Sequence, residues 1–156
     1  MDTPRKFLVI ADGSEEARKA AFFAAARAHN TGGQVMLLAV VETEGFEAWM
    51  GVGEAMRREA EQNAEAHIES LAEDVESITG VRPDVAMRNG PKEEALRTLI
   101  DENVEIAILC LGASNSTEGA GPLVSALARQ RLFGKRAIPV TVVPGELDQA
   151  TIEALC

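Results

Sequence analysis

Apolar residues along this chain follow two alternating rules. Short, mostly unbroken runs stand at Phe7–Ala11, Val35–Val41, Ile106–Leu111 and Ile138–Val143. Between them lie longer stretches in which apolar positions recur every three or four residues. A continuous run of β-formers predicts a strand buried on both faces, as in a parallel sheet covered by helices. Recurrence at three and four predicts an amphipathic helix lying on such a sheet.

Ser14 is placed to cap the first helix, with Glu15 and Glu16 in its first turn, and Asn30 to Gly33 end it after about His29. Its alanines at 17, 21, 24 and 28 form a narrow face suited to close packing. Glu42–Gly53, with Phe46, Trp49 and Met50, reads as a loop over the domain. Glu54–Ile78 is the longest helix. Ala64, Ile68, Leu71, Val75 and Ile78 make its buried face, and its charge run is a solvated surface. Val81–Met87 alternates apolar and polar residues, and Pro83 marks it as an edge strand. Pro91 stands at the first position of the next helix, with Leu96, Leu99 and Ile100 facing inward. A last crossover helix runs from Pro122 to about Leu132, and Gly145–Cys156 is a short helical or loose tail. Strands and helices therefore alternate from end to end. That order predicts one α/β domain, a parallel sheet with right-handed crossovers and helices on both faces.

Composition narrows the functions. The 156 residues suit one domain, and no segment approaches the roughly 20 apolar residues of a membrane span. Phe7–Ala11 is too short for a signal peptide, so a cytoplasmic location is expected. A net charge of −10 argues against nucleic acid and anionic membrane as partners. Cys110 lies inside a buried run and Cys156 in a tail expected to fray, while His29 and His67 have no zinc spacing. No Ser-His-Asp set, paired-histidine motif or Walker lysine is present, so no catalytic residue is assigned.

The candidate chemistry gathers after the fourth run. Ile106 to Leu111 ends at Gly112, a small-residue loop follows, and a helix opens at Pro122. Unpaired amides and the positive end of a helix dipole meet in such a place and favour phosphate. Gly112 either admits a ligand to the backbone or simply ends the strand. Ser125 either donates to a phosphate or caps its helix. Asp12 either accepts from ribose hydroxyls or fixes the turn into the next helix. Gly119-x-Gly121 is not a dinucleotide fingerprint. The basic cluster of Arg129, Arg131, Lys135 and Arg136 is assigned to a helix C-terminus ahead of a phosphate. The apolar-poor loop Ala113–Ala120 is expected to be mobile without ligand.

Read together, these segments resemble the universal stress protein family. The resemblance covers about Lys6 to Pro144. It rests on Phe-Leu-Val-Ile-Ala-Asp-Gly-Ser-Glu-Glu-Ala at 7–17, Val-Met-Leu-Leu-Ala-Val-Val-Glu at 35–42, Asn-Gly-Pro-Lys-Glu-Glu-Ala-Leu at 89–96 and Ile-Pro-Val-Thr-Val-Val-Pro at 138–144. It implies a flavodoxin-like (adenine nucleotide α-hydrolase-like) fold, with a five-stranded sheet in the order 3-2-1-4-5. It also implies a homodimer through the strand Ile138–Val143, and ATP at the carboxyl ends of strands one and four, with magnesium alongside as an option. In the family's ATP-binding branch the motif after strand four is glycine, two residues, glycine, nine residues, glycine, then Ser or Thr. Gly112 matches the first glycine and Asn115 replaces the second. Ser125 and Ala126 occupy the last two places, or Val124 and Ser125 after a one-residue shift. The candidate ligand residues are therefore Ile10, Ala11, Asp12, Val40, Leu111, Gly112, Asn115, Val124, Ser125 and Ala126. Of these, the resemblance puts Asp12 beside the adenosine portion and Val40 in the adenine pocket. Three functions follow: a nucleotide-binding stress regulator, a dimeric interaction module that has lost the nucleotide, and a slow ATP-hydrolysing enzyme.

Overall fold

The computed structural model describes residues 4–42, 52–114, 121–130 and 132–156. Strands and helices alternate as β1 (Lys6–Ile10), α1 (Glu15–Thr31), β2 (Gln34–Val41), α2 (Val52–Thr79), β3 (Asp84–Asn89), α3 (Lys92–Glu102), β4 (Ile106–Ala113), α4 (Pro122–Ala128), β5 (Val140–Pro144) and α5 (Gln149–Leu155). The strands form one parallel sheet in the order β3-β2-β1-β4-β5, the order the resemblance implied.

The unbroken apolar runs became the sheet's centre because each face has its own core. Phe7, Val9, Leu37 and Cys110 meet the alanines of α1 and Ile68, Leu71, Ala72 and Val75 of α2. Leu8, Ile10, Leu38, Leu109 and Leu111 point the other way, onto Leu96, Leu99 and Ile100 of α3 and Leu123 of α4. On the first face Ala20, Ala21, Ala24, Ala25 and Ala28 are almost wholly buried. With only methyl groups at these positions, the backbone of α1 lies close to the sheet. Ser14 caps this helix as expected, its hydroxyl accepting from the Ala17 amide at 3.1 Å.

Several boundaries differ from the sequence reading, each for a local reason. β3 begins at Asp84 because the Thr79 hydroxyl binds both the amide and the carbonyl of Val81, holding that residue in a turn. Pro91 is the N-cap of α3, and Lys92 takes the first helical position. α4 stops at Ala128, short of Leu132, because Gln130 adopts φ 59 and its amide turns back to Leu127. Leu132 is buried all the same, from the following segment. Ile138 is buried ahead of β5, whose pairing starts at Val140 opposite Leu109. The tail is helical and docked: Ile152 is buried beside Phe22 and Val143. Cys156 is half-buried near Phe23 rather than frayed. The expected loop with Phe46, Trp49 and Met50 lies outside the described residues.

Two predictions follow from this packing. Ser14→Ala removes the acceptor for the Ala17 amide, which should cost about 1 kcal/mol in urea unfolding; an unchanged midpoint would mean that the cap contributes nothing. Burial pushes the Cys110 thiol up to about 12, while Cys156 is raised by its partial burial. A thiol reagent at neutral pH should therefore modify Cys156 alone in the native protein and both cysteines after denaturation. Rapid reaction of both thiols in native buffer would contradict the core assignment.

Candidate ligand-binding site

β1 and β4 are neighbours, yet the chain leaves them for opposite faces: α1 packs on one side of the sheet and α4 on the other. A crevice opens at their carboxyl ends, at the switch point of the topology. Its walls include Ile10, Asp12, Ser14, Glu16, Lys92, Leu111, Gly112, Gly121 and Val124. The enclosed part is narrow, with a cavity volume of about 60 Å³. Next to it, sharing Lys92, Pro122 and Leu123, lies a wider cavity of about 440 Å³ over the first turn of α3. Glu42, Glu93 and Glu94 line that wider cavity together with Lys92 and Arg97, so both signs of charge meet there. The narrow part suits one end of a ligand, whereas the wider part has the size of a small-molecule pocket.

Asp12 fixes the turn into α1 and leaves its second oxygen toward the crevice. One carboxylate oxygen accepts from the Ser14 amide at 2.9 Å and from the Ser14 hydroxyl at 2.6 Å, which fixes the turn into α1. The other oxygen stands 4.0 Å from the ammonium of Lys92. Gly13, at φ 82, permits this turn, and a Cβ added there would lie 2.6 Å from the His67 imidazole of α2. The turn is therefore held from the α2 side as well as by Ser14.

Gly112 does not end its strand, since β4 runs on to Ala113, and it has a packing role besides lining the crevice. A Cβ at this position would fall 2.0 Å from the carbonyl oxygen of Glu16, so the missing side chain makes room for the first turn of α1. Ile10, Leu111 and Val124 join Asp12 and Gly112 around the crevice. Other candidates sit elsewhere. Ala11 is buried with its amide on the Leu38 carbonyl, Val40 packs against the α3 core, and Ala126 is on the buried side of α4. Ser125 is exposed, and its amide bonds the Gly121 carbonyl at 3.0 Å, so it is an interior residue of α4 and does not cap it. The N-cap is Gly121, at φ 111, which offers no side chain. Among the described residues no N-cap side chain accepts from the first amides of α4. Asn115 and Gly119 lie outside the described residues.

Lys92 was missed by the sequence reading. The signal was present: a lysine at the first position of a helix opposes the dipole and is favoured there only with an anionic partner. Asp12 is that partner here. The basic cluster divides as expected for Arg136, which donates to the carbonyls of Ile100 and Asn103 at the end of α3 and of Ile106 at the start of β4. Asp101 in turn accepts from the amides of Lys135 and Arg136. Arg131 is outside the described residues. Among the described residues no group of three His, Cys, Asp or Glu side chains is arranged to hold a metal ion.

A family model described as the Universal stress protein family matches residues 3–146. The fold is similar to that of universal stress protein UspA from Lactobacillus plantarum, with a TM-score of 0.73 and 17% identity over 91% of this chain and 99% of that one. It is also similar to hypothetical protein MJ0577, with a TM-score of 0.72 and 19% identity over 92% and 98%. A universal stress protein in complex with cAMP aligns with a TM-score of 0.55 and 16% identity over 93% and 100%. At these identities the likeness is one of fold. No curated protein matches the sequence.

The packing account of Gly112 makes a prediction that needs no ligand. Gly112→Ala should destabilise the protein by about 1–3 kcal/mol or more, as overpacking against backbone does. Urea unfolding in nucleotide-free buffer measures it. Unchanged stability would show that α1 does not approach β4 this closely.

Proposed function

The chain belongs to the universal stress protein family, and from that premise we propose that it is a regulatory protein binding an adenine nucleotide, ATP, between the ends of β1 and β4. The observation that carries this reading is the Asp12–Lys92 pair, with one carboxylate oxygen committed to the turn and the other facing an ammonium across the crevice. Such a pair offers an acceptor to ribose hydroxyls and a cation to phosphate. The wider cavity has the volume for the base and ribose. The phosphates belong on the narrow side, toward the uncapped amides of α4. The cAMP complex of a similar fold supports a nucleotide ligand. Magnesium accompanying ATP would be held chiefly by phosphate and water, as this ion commonly is. The protein's own part is to bind and orient, and its output is a shift of population on binding. Cytoplasmic residence and a role in stress response belong to the same proposal and rest on the family. No helix among the described residues is long and apolar enough to cross a membrane.

The assembly proposed is a homodimer. β5 is an outer strand of the sheet, and Val142 on it is 36% exposed. An open apolar edge invites pairing with a second copy across a two-fold axis. The pairing strand is then Val140–Pro144, slightly later than the sequence run suggested. A second reading has its own support. Space beside Gly112 is filled by α1 and the narrow crevice holds only about 60 Å³, which suits an interaction module without nucleotide.

Two experiments separate these readings. Denaturing the purified protein and reading absorbance at 260 nm should reveal released nucleotide; a protein free of nucleotide that also fails to bind ATP by calorimetry favours the interaction module. In titrations, Asp12→Ala should weaken ATP and adenosine alike, and Lys92→Ala should weaken ATP more. Each loses a contact to a charged group, worth about tenfold or more in affinity. Ser125→Ala should leave both ligands unchanged. A selective loss of ATP affinity in Ser125→Ala would contradict the assigned geometry. For the assembly, light scattering should give a dimer for the wild type and a monomer for Val142→Glu; a monomeric wild type would overturn the edge-pairing proposal.

A further inference from the structure

A second cavity lies at the opposite end of the sheet, where β1 and β4 begin. Three features of the chain make it. Lys6 pairs with Ile106 and Phe7 with Ile108, so Ala107 bulges out of the ladder. β5 starts only opposite Leu109, whose amide reaches the Pro139 carbonyl at 3.0 Å, and the first residues of β4 have no outer strand beside them. α1 ends at Thr31, and Gly32, at φ 75, turns the chain aside before it can cover Ile108. The space left is about 470 Å³, with Phe7 and Ile108 among its walls.

The charged side chains around it are all of one sign. Arg5, Lys6 and Arg27 line the cavity, and no carboxylate does. Lys6 is already committed, at 2.8 Å to Asp84 and 2.8 Å to Glu105. Arg5 and Arg27 have no carboxylate partner among the described residues. That contrasts with Arg18, Arg57, Arg58, Arg82 and Arg88, each of which is paired. In a chain with 25 acidic and 15 basic residues, two guanidiniums on one partly apolar cavity with no carboxylate partner among the described residues stand out. Arg5 is also anchored, because its carbonyl accepts from the Gln34 amide at 2.9 Å. Gly33 keeps the wall thin: a Cβ there would press to 3.0 Å on the Phe7 ring.

We propose that this cavity binds an organic anion with an apolar body, its charged head on Arg5 and Arg27 and its body against Phe7 and Ile108. Planar guanidinium forks suit carboxylate, sulfonate or phosphate heads alike. The volume falls in the range of small-molecule pockets. The site is separate from the crevice at Asp12 and does not depend on nucleotide binding there.

The test uses the full chain and the aryl sulfonate 8-anilinonaphthalene-1-sulfonate, followed by fluorescence. The wild type should show saturable one-site binding. Arg5→Gln and Arg27→Gln should each lower the affinity about tenfold, the loss of a hydrogen bond to a charged group, with melting temperatures unchanged. Ile108→Trp should fill the cavity and abolish binding. Phenyl phosphate and benzoate should compete with the probe, whereas saturating ATP and inorganic phosphate should not. Wild-type affinity in both arginine variants would overturn the proposal. So would displacement of the probe by ATP, which would place it in the other crevice. Competition by inorganic phosphate as strong as that by phenyl phosphate would overturn the requirement for an apolar body.

Discussion

The close approach of α1 to the sheet is the constraint on which the rest of the structure depends. Five buried alanines line the helix face, and Gly112 leaves room for the Glu16 carbonyl where a methyl group would collide with it. Larger side chains on either surface would lift the helix and open the core between it and Val9, Leu37 and Cys110. Because the first turn of α1 is pinned to β4, the short link Asp12-Gly13-Ser14 has little freedom. The hydrogen bonds of Ser14 to Asp12 and of Ala17 to Ser14 then settle which way the Asp12 carboxylate points.

That packing also shapes the electrostatics of the crevice. Asp12 is exposed at a strand end, and its outward oxygen meets Lys92 from the other face of the sheet. The pair joins the two layers across the switch point without burying a bare charge. Lys92 and the start of α4, Pro122 and Leu123, border both the narrow crevice and the wider cavity. The enclosed part of the crevice is small.

Much of the fold was legible because burial on both faces writes itself as continuous apolarity. Val35–Val41 and Ile106–Leu111 could hardly be anything but inner strands. Errors came where one side chain redirects the backbone. The Thr79 hydroxyl holds Val81 in a turn, and Gln130 reverses the end of α4; neither event has a periodic signature. The site was legible in part. Asp12, Gly112 and Leu111 line the crevice, and strand ends at a switch point are readable from element order. The packing role of Gly112 was not legible, since its neighbour across the fold, Glu16, cannot be seen from local sequence. Ser125 was placed by counting along a motif, and the helix presents it to solvent. Lys92 comes from a different layer, and only its awkward position at a helix start hinted at a partner.

The central claim is that α1, pinned on Gly112, presents Asp12 and Lys92 to a nucleotide at the upper end of the sheet. Amide chemical-shift mapping during titration with ATP tests it most directly. The account predicts progressive shifts at Asp12, Gly13, Ser14, Lys92, Leu123 and Val124, with Lys6, Gly32 and Gly33 at the other end unmoved. Saturable ATP binding that leaves the amides of Asp12, Lys92 and Val124 in place would contradict it.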